Sequence, residues 1–280
     1  MRTRYYFYAL IIVAALAALF FIYQPEKLDN ITKNISSFSN TISNSVSNSG
    51  PLVFLSEKSG ADLNAQNVFA FTNIERVNLK QTPLKSNPVL DTIASERNND
   101  MFTYQYFEHV SSTGHSASVV AKDIGYEYIS IGENIAMGNF ESDEALVQAW
   151  MNSPGHKANI LSDTYTELGV AVKKGEFEGN TVWIATQIFG RPLSDCTQAS
   201  EKDKKIIESN KAVIDQLSAK ENSLKEQLDS AYLKSRPDQY NAVVKEYNSL
   251  INQLNSLVAT TKNLTDSYNN QIKAFNNCIK

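Results

Sequence analysis

Trp150-Met151-Asn152-Ser153-Pro154-Gly155-His156-Lys157-Ala158-Asn159-Ile160-Leu161 decides the reading of this 280-residue chain. The stretch closes a helix that the pattern places from Ser142 to Met151. Ser142 suits the N-cap, Asp143 and Glu144 stand near the positive helix end, and Ala145, Leu146, Ala149 and Trp150 form the apolar side. Downstream, Leu168–Val172 and Thr181–Phe189 read as strands, with Lys174–Asn180 as the turn region of a hairpin. Upstream, a helical pattern runs from Leu63 through Phe69, Ile74 and Val77. It ends at Gln81-Thr82-Pro83, because proline disfavours helix in the residue before it. A second helix starts at Pro88 and carries Leu90, Ile93, Ala94 and Met101 inward. Helices leading into terminal strands predict an α+β or layered α/β domain.

The three histidines of the chain, His109, His115 and His156, all fall inside this domain. Two stand in dense motifs, Tyr106-Phe107-Glu108-His109 and the opening stretch, and Gly132-Glu133-Asn134-Ile135-Ala136 lies between them. With Asn73-Ile74-Glu75-Arg76 before and Gln187-Ile188-Phe189-Gly190 after, these five pieces resemble, in order, the prokaryotic branch of the CAP (SCP-like) superfamily. That family includes cysteine-rich secretory proteins, antigen 5 and plant pathogenesis-related proteins. The resemblance covers about half the chain. It implies a CAP-type α-β-α sandwich in which His109, Glu133 and His156 line one cleft. Relatives with four cleft residues carry a second glutamate near the position of Ser153. Glu144 does not replace it, being nine residues earlier and on the opposite helix face. Asn134 is expected to support a loop bearing Glu133.

Two imidazoles and a carboxylate form a plausible Zn²⁺ set with a position open for water, which such a metal would activate. The alternative is that Glu133 holds a histidine by a hydrogen bond and orders the cleft. His115, in a Ser/Thr/Gly-rich loop, reads as a solvated histidine, and Trp150 and Trp183 read as core. The chain has no Gly-x-Ser-x-Gly elbow, phosphate loop, His-Glu-x-x-His or Cys-x-x-Cys.

The flanks differ in texture. Arg2 and Arg4 precede an apolar run from Tyr5 to Tyr23, about the ~20 residues that span a bilayer. Residues 1–23 are therefore read as a transmembrane anchor, with the arginines inside and the rest of the chain outside the cytoplasm. The rival reading is a signal peptide, which would leave the protein secreted. Residues 24–56 are rich in Ser and Asn and read as a flexible tether. Within it, Asn30-Ile31-Thr32 and Asn34-Ile35-Ser36 fit the glycosylation pattern. The working domain is bounded at 57–195.

Residues 196–280 contain no glycine. Tyr240, Tyr247, Leu254, Thr261, Tyr268 and Phe275 recur every seven residues, with Val243, Leu250, Leu257 and Leu264 as a second series. Ile206, Val213, Leu217, Leu224, Leu228 and Ala231 repeat less regularly before Ser235-Arg236-Pro237-Asp238, where a new helix suits proline in its first turn. The reading is an antiparallel coiled-coil hairpin. Cys196 and Cys278 lie almost equally far from that turn, so folding there brings the thiols together as a disulfide.

The net charge of −4 and the lack of a basic cluster argue against nucleic acid as a partner. The reading that leads is a membrane-anchored, non-catalytic module that binds a ligand or metal in its cleft. Its hairpin would meet a protein partner or a second copy. Metal-dependent hydrolysis of a peptide or envelope substrate, and lipid binding, are the alternatives.

Overall fold

The computed structural model describes residues 45–54 and 61–280. The apolar run 5–23, both glycosylation patterns and residues 24–44 of the expected tether lie outside the described residues. Among those described, no helix is long and apolar enough to cross a membrane.

The chain runs β1 (Ser45–Asn48), β2 (Leu52–Phe54), α1 (Ala65–Asn78), β3 (Lys85–Ser86), α2 (Pro88–Tyr104), α3 (Ala117–Ile124) and β4 (Tyr128–Gly138). It continues through α4 (Asp143–Asn152), α5 (Pro154–Leu161), β5 (Glu167–Phe177) and β6 (Asn180–Pro192). The described strands form one sheet in the order β1-β4-β6-β5-β3, and β2 also pairs with β4. The centre is an antiparallel meander: β4 pairs with β6, and β6 with β5.

Alternation along β6 separates two cores, because successive side chains of a strand point to opposite faces. Trp183, Ala185 and Phe189 pack with Val68 of α1, Leu146 and Trp150 of α4 and Ile160 of α5. Ile188 packs with Leu90, Ile93 and Ala94 of α2 and Val120 and Ala121 of α3, while Ile184 joins Met101. Helices therefore cover both faces of a mixed sheet, as the sandwich reading expects.

The expected helix ends are present. Ser142 caps α4 by accepting from the Ala145 amide at 3.0 Å. Pro88 and Pro154 each stand in the first turn of a helix, where the missing N–H costs no intrahelical bond.

Three expectations are corrected. Residues 45–54, assigned to the tether, contain two strands, because their backbone pairs with the otherwise free edge of β4. Glu133 and Asn134 lie on the central strand β4 rather than on a loop. On α1, Ile74 and Val77 are exposed, and the buried stripe is Val68, Thr72 and Arg76.

Beyond a short 3₁₀ turn stand α6 (Glu201–Asp229), the four-residue α7 (Ala231–Lys234) and α8 (Pro237–Cys278). Partners that rise along α6 descend along α8: Ser200 with Gln271, Asn210 with Thr261, Glu221 with Tyr247. The two helices are thus antiparallel. Tyr247, Leu254, Thr261, Tyr268 and Phe275 of the seven-residue series are buried. On α6 the buried positions are Ile214 and Leu224, while Ile206 and Val213 stay exposed. The Cys196–Cys278 disulfide closes the base, with Cα atoms 5.7 Å apart.

Closing 82 residues of chain removes denatured-state entropy worth about 4.5 kcal/mol in the loop model, an upper value. Reduction should therefore lower the melting temperature of the helical circular-dichroism signal. Both tryptophans lie in the sandwich core, so their fluorescence transition should move far less.

Candidate functional site

The site forms along the outer edge of β4, between the two helical layers. Strand alternation aims neighbouring side chains oppositely: Glu133 points to the α2 layer and Asn134 to the α4–α5 layer.

On the α2 side the organiser is Arg97, which is fully buried. Its Nε donates to Glu133 Oε1 at 2.9 Å, and its terminal nitrogens donate to the Tyr106 hydroxyl and to the carbonyls of Glu108 and His109. One guanidinium thus joins the central strand to the segment carrying His109. Burial alone lowers the Arg97 pKa, but the adjacent Glu133 carboxylate outweighs it and holds the group above its ordinary value. Tyr106, which also donates to Asp100, is pushed up to about 12 by burial and by that carboxylate. The other oxygen of Glu133 meets His109 Nδ1 at 2.6 Å. His109 Nε2, on the far side of the ring, contacts the backbone carbonyl of Ser49.

On the α5 side, His156 is buried one turn into the helix. Its Nδ1 shares a hydrogen bond of 2.7 Å with Ser153 Oγ, at the joint between α4 and α5. Its Nε2 is buried and, among the described residues, has no side-chain hydrogen-bond partner. Burial first, and then the nearby charge of His109, lower its pKa to about 4. Asn134 is fully enclosed. Its amide nitrogen donates to the His156 carbonyl at 3.1 Å and to Gln187 Oε1 at 3.0 Å, and its oxygen accepts from Asn159 at 2.9 Å. Gln187 continues inward to Thr72. Asn134 therefore fixes β4 to α5 from within the sheet.

All five expected cleft residues, His109, Glu133, Asn134, Ser153 and His156, meet along this edge. His115 lies apart, one-third exposed, with Nδ1 3.0 Å from Asp100. Sequence reasoning missed Arg97 and Asn159. Arg97 left a signal, since it falls on the inward stripe of α2 with Leu90, Ile93, Ala94 and Met101. A charged residue there needs a buried partner.

The zinc set His109, Glu133 and His156 does not fit as three donors. Both oxygens of Glu133 are engaged, by Arg97 and by His109, so it stands behind His109 as a hydrogen-bond partner. Among the described residues, no group of three or more His, Cys, Asp or Glu is arranged to hold a metal ion.

The family model for the cysteine-rich secretory protein family, CAP, matches residues 69–189. The likeness to this family is carried by residues 69–189, and the similar proteins are bacterial. It is 38% identical over 122 residues to the uncharacterized protein YkwD of Bacillus subtilis, covering 44% of this chain and 45% of that protein. It is 30% identical over 115 residues to the uncharacterized membrane protein YlbC of the same organism, covering 41% of this chain and 33% of that protein. The chain thus spans less than half the length of these curated relatives. Among solved structures, an extracellular protein containing an SCP domain from Bacillus anthracis aligns with 30% identity and a TM-score of 0.39. That alignment covers 45% of this chain and 40% of that one. An outer surface protein of Borrelia burgdorferi aligns with 19% identity and a TM-score of 0.40, covering 45% of this chain and 91% of that one.

Replacing Arg97 with Met leaves Glu133 buried without its cation and should cost about 3–5 kcal/mol of unfolding free energy by urea titration. The Arg97→Met/Glu133→Gln pair should recover part of that loss. His156, whose folded pKa lies below its unfolded value of about 6.5, makes stability that is full above pH 6.5 and declines as pH falls toward 4. His156→Gln should flatten that part of the urea-midpoint profile.

Proposed function

We propose that this chain is a membrane-anchored, extracytoplasmic ligand-binding module whose cleft binds without turnover. One observation carries the reading. The carboxylate of the cleft has both oxygens held, by Arg97 at 2.9 Å and by His109 at 2.6 Å, and Ser153 stands where four-residue relatives carry the second acid. General acid–base catalysis needs a group free to take and return a proton beside the substrate. A carboxylate locked in a buried ion pair is a poor base, and Ser153 offers a hydroxyl in place of a second acid. The same fixed groups suit binding, because they hold His109 and Asn134 in place before a ligand arrives.

Placement outside the cytoplasm is supported by the Cys196–Cys278 disulfide, which persists in oxidising compartments, and by the apolar run 5–23 behind two arginines. The helical hairpin supports a scaffold role, offering a long exposed surface beside the domain for a protein partner or a second copy.

The test is calorimetric titration of the purified chain with Zn²⁺, alongside a peptide-hydrolysis assay. The expected result is no micromolar zinc binding and no turnover. Tight zinc binding lost in both His109→Ala and His156→Ala, together with hydrolysis, would replace this reading with a metallohydrolase.

A further inference from the structure

Residues 46–54 differ from the central strands of the sheet. β4 is buried almost throughout, and β6 through its middle. Among the described side chains of 46–54, Ser49 alone is buried, while Val46, Val53 and Phe54 are 49%, 48% and 44% exposed. An integral strand buries one of its faces. This one is held by its backbone, by two hydroxyls and, at its far end, by Leu52 and Phe54.

Those contacts fall on the cleft residues. The Ser49 carbonyl meets His109 Nε2, the ring atom that faces away from Glu133. Ser49 Oγ donates to Asn134 Oδ1 at 2.9 Å, and Ser47 Oγ donates to Asn159 Oδ1 at 2.9 Å. The two serines are two residues apart, the spacing that puts them on one side of an extended chain. Farther on, Leu52, Val53 and Phe54 pair in parallel with Ala136, Met137 and Gly138, and the Phe54 ring stacks on Phe140 at 5.3 Å.

The domain is also shaped for this occupant. A Cβ on Gly155 would stand 2.9 Å from Ser49 Cβ, and one on Gly138 would stand 2.0 Å from the Phe54 carbonyl oxygen. Both contacts are closer than side chains tolerate, so these two glycines leave the room that the segment fills.

We propose that the cleft is a binding site for an extended peptide strand, and that residues 46–54 of this chain occupy it in cis. The inference rests on the reading of the cleft as a non-catalytic binding site and names its ligand class. The ligand runs parallel to β4, gives a carbonyl to His109, and places a small hydroxyl residue against Gly155. It carries a second hydroxyl two residues earlier and an aromatic ring five residues later. This is strand addition to a sheet edge, where main-chain bonds supply affinity and pockets for alternate side chains supply selectivity. While the chain's own segment is seated, the cleft is closed to an outside peptide.

The experiment uses the full chain in detergent and a fluorescent peptide of sequence Ser-Val-Ser-Asn-Ser-Gly-Pro-Leu-Val-Phe, read by anisotropy. Amide exchange over residues 46–54 is followed in parallel. Ser49→Phe places bulk against Gly155 and should release the segment. Exchange there should rise at least tenfold, and the peptide should bind at least tenfold more tightly than to the parent. Adding Gly155→Val should abolish that gain. The milder Ser47→Ala/Ser49→Ala pair, which deletes both hydroxyl donors and adds no bulk, should shift both readouts in the same direction. Exchange that rises without any peptide binding overturns the peptide site, and leaves the cleft as a binding site for another chemistry. Exchange unchanged in both variants overturns occupancy in cis. A peptide that binds and is then cut upholds the peptide site and overturns the non-catalytic reading.

Discussion

The buried contact between Arg97 and Glu133 is the constraint on which the sandwich and its cleft both depend. A guanidinium and a carboxylate removed from water cost several kcal/mol each unless they meet each other and have their remaining hydrogen bonds satisfied. Here Glu133 takes Arg97 on one oxygen and His109 on the other, and Arg97 uses its remaining donors on Tyr106 and on the carbonyls of Glu108 and His109. The pair belongs to two different elements, a helix and the central strand, so satisfying it fixes their register. It also fixes the irregular segment between α2 and α3. Tyr106 and Phe107 of that segment also pack against the core around Met101.

The second layer is fixed by amides instead of charges. Asn134, Asn159 and Gln187 bond to one another and to backbone across β4, β6 and α5, without any formal charge. Neutral amides carry both donors and acceptors, so such a network closes on itself inside a sheet. The division makes sense of the edge between the layers. One side presents an imidazole tethered to a carboxylate, the other presents amide oxygens that take hydroxyl hydrogens, and the strand edge supplies the backbone with which β1 and β2 pair.

Much of this was legible in the sequence because it depends on periodicity and on local chemistry. Leu90, Ile93, Ala94 and Met101 announce α2, Ser142 announces the start of α4, and the seven-residue series announces α8 and the disulfide at its base. The cleft residues were legible through motifs. What escaped has a common cause. Glu133 and Asn134 are polar residues at the middle of a strand buried on both faces, so neither alternation nor an apolar run marks it. Val68, Thr72 and Arg76 form a buried stripe of which only one member is apolar, and the exposed Ile74 and Val77 misdirect the pattern. Residues 45–54 read as linker because their composition is that of a linker. They are ordered by the edge they meet, which composition does not encode.

The attachment of residues 46–54 to the domain they cover has a consequence for concentration. Only six residues separate Phe54 from Ala61. A ligand so tethered is present at its site at an effective concentration of about millimolar. A free peptide with the same contacts, present at about micromolar concentration, loses that competition by about a thousandfold. A strand presented in many copies on one polymer or surface reaches comparable local density and does not. Under the proposed occupancy in cis, the protein is insensitive to dilute peptide and responsive to dense arrays of it, a distinction set by chain connectivity and needing no further contact in the cleft.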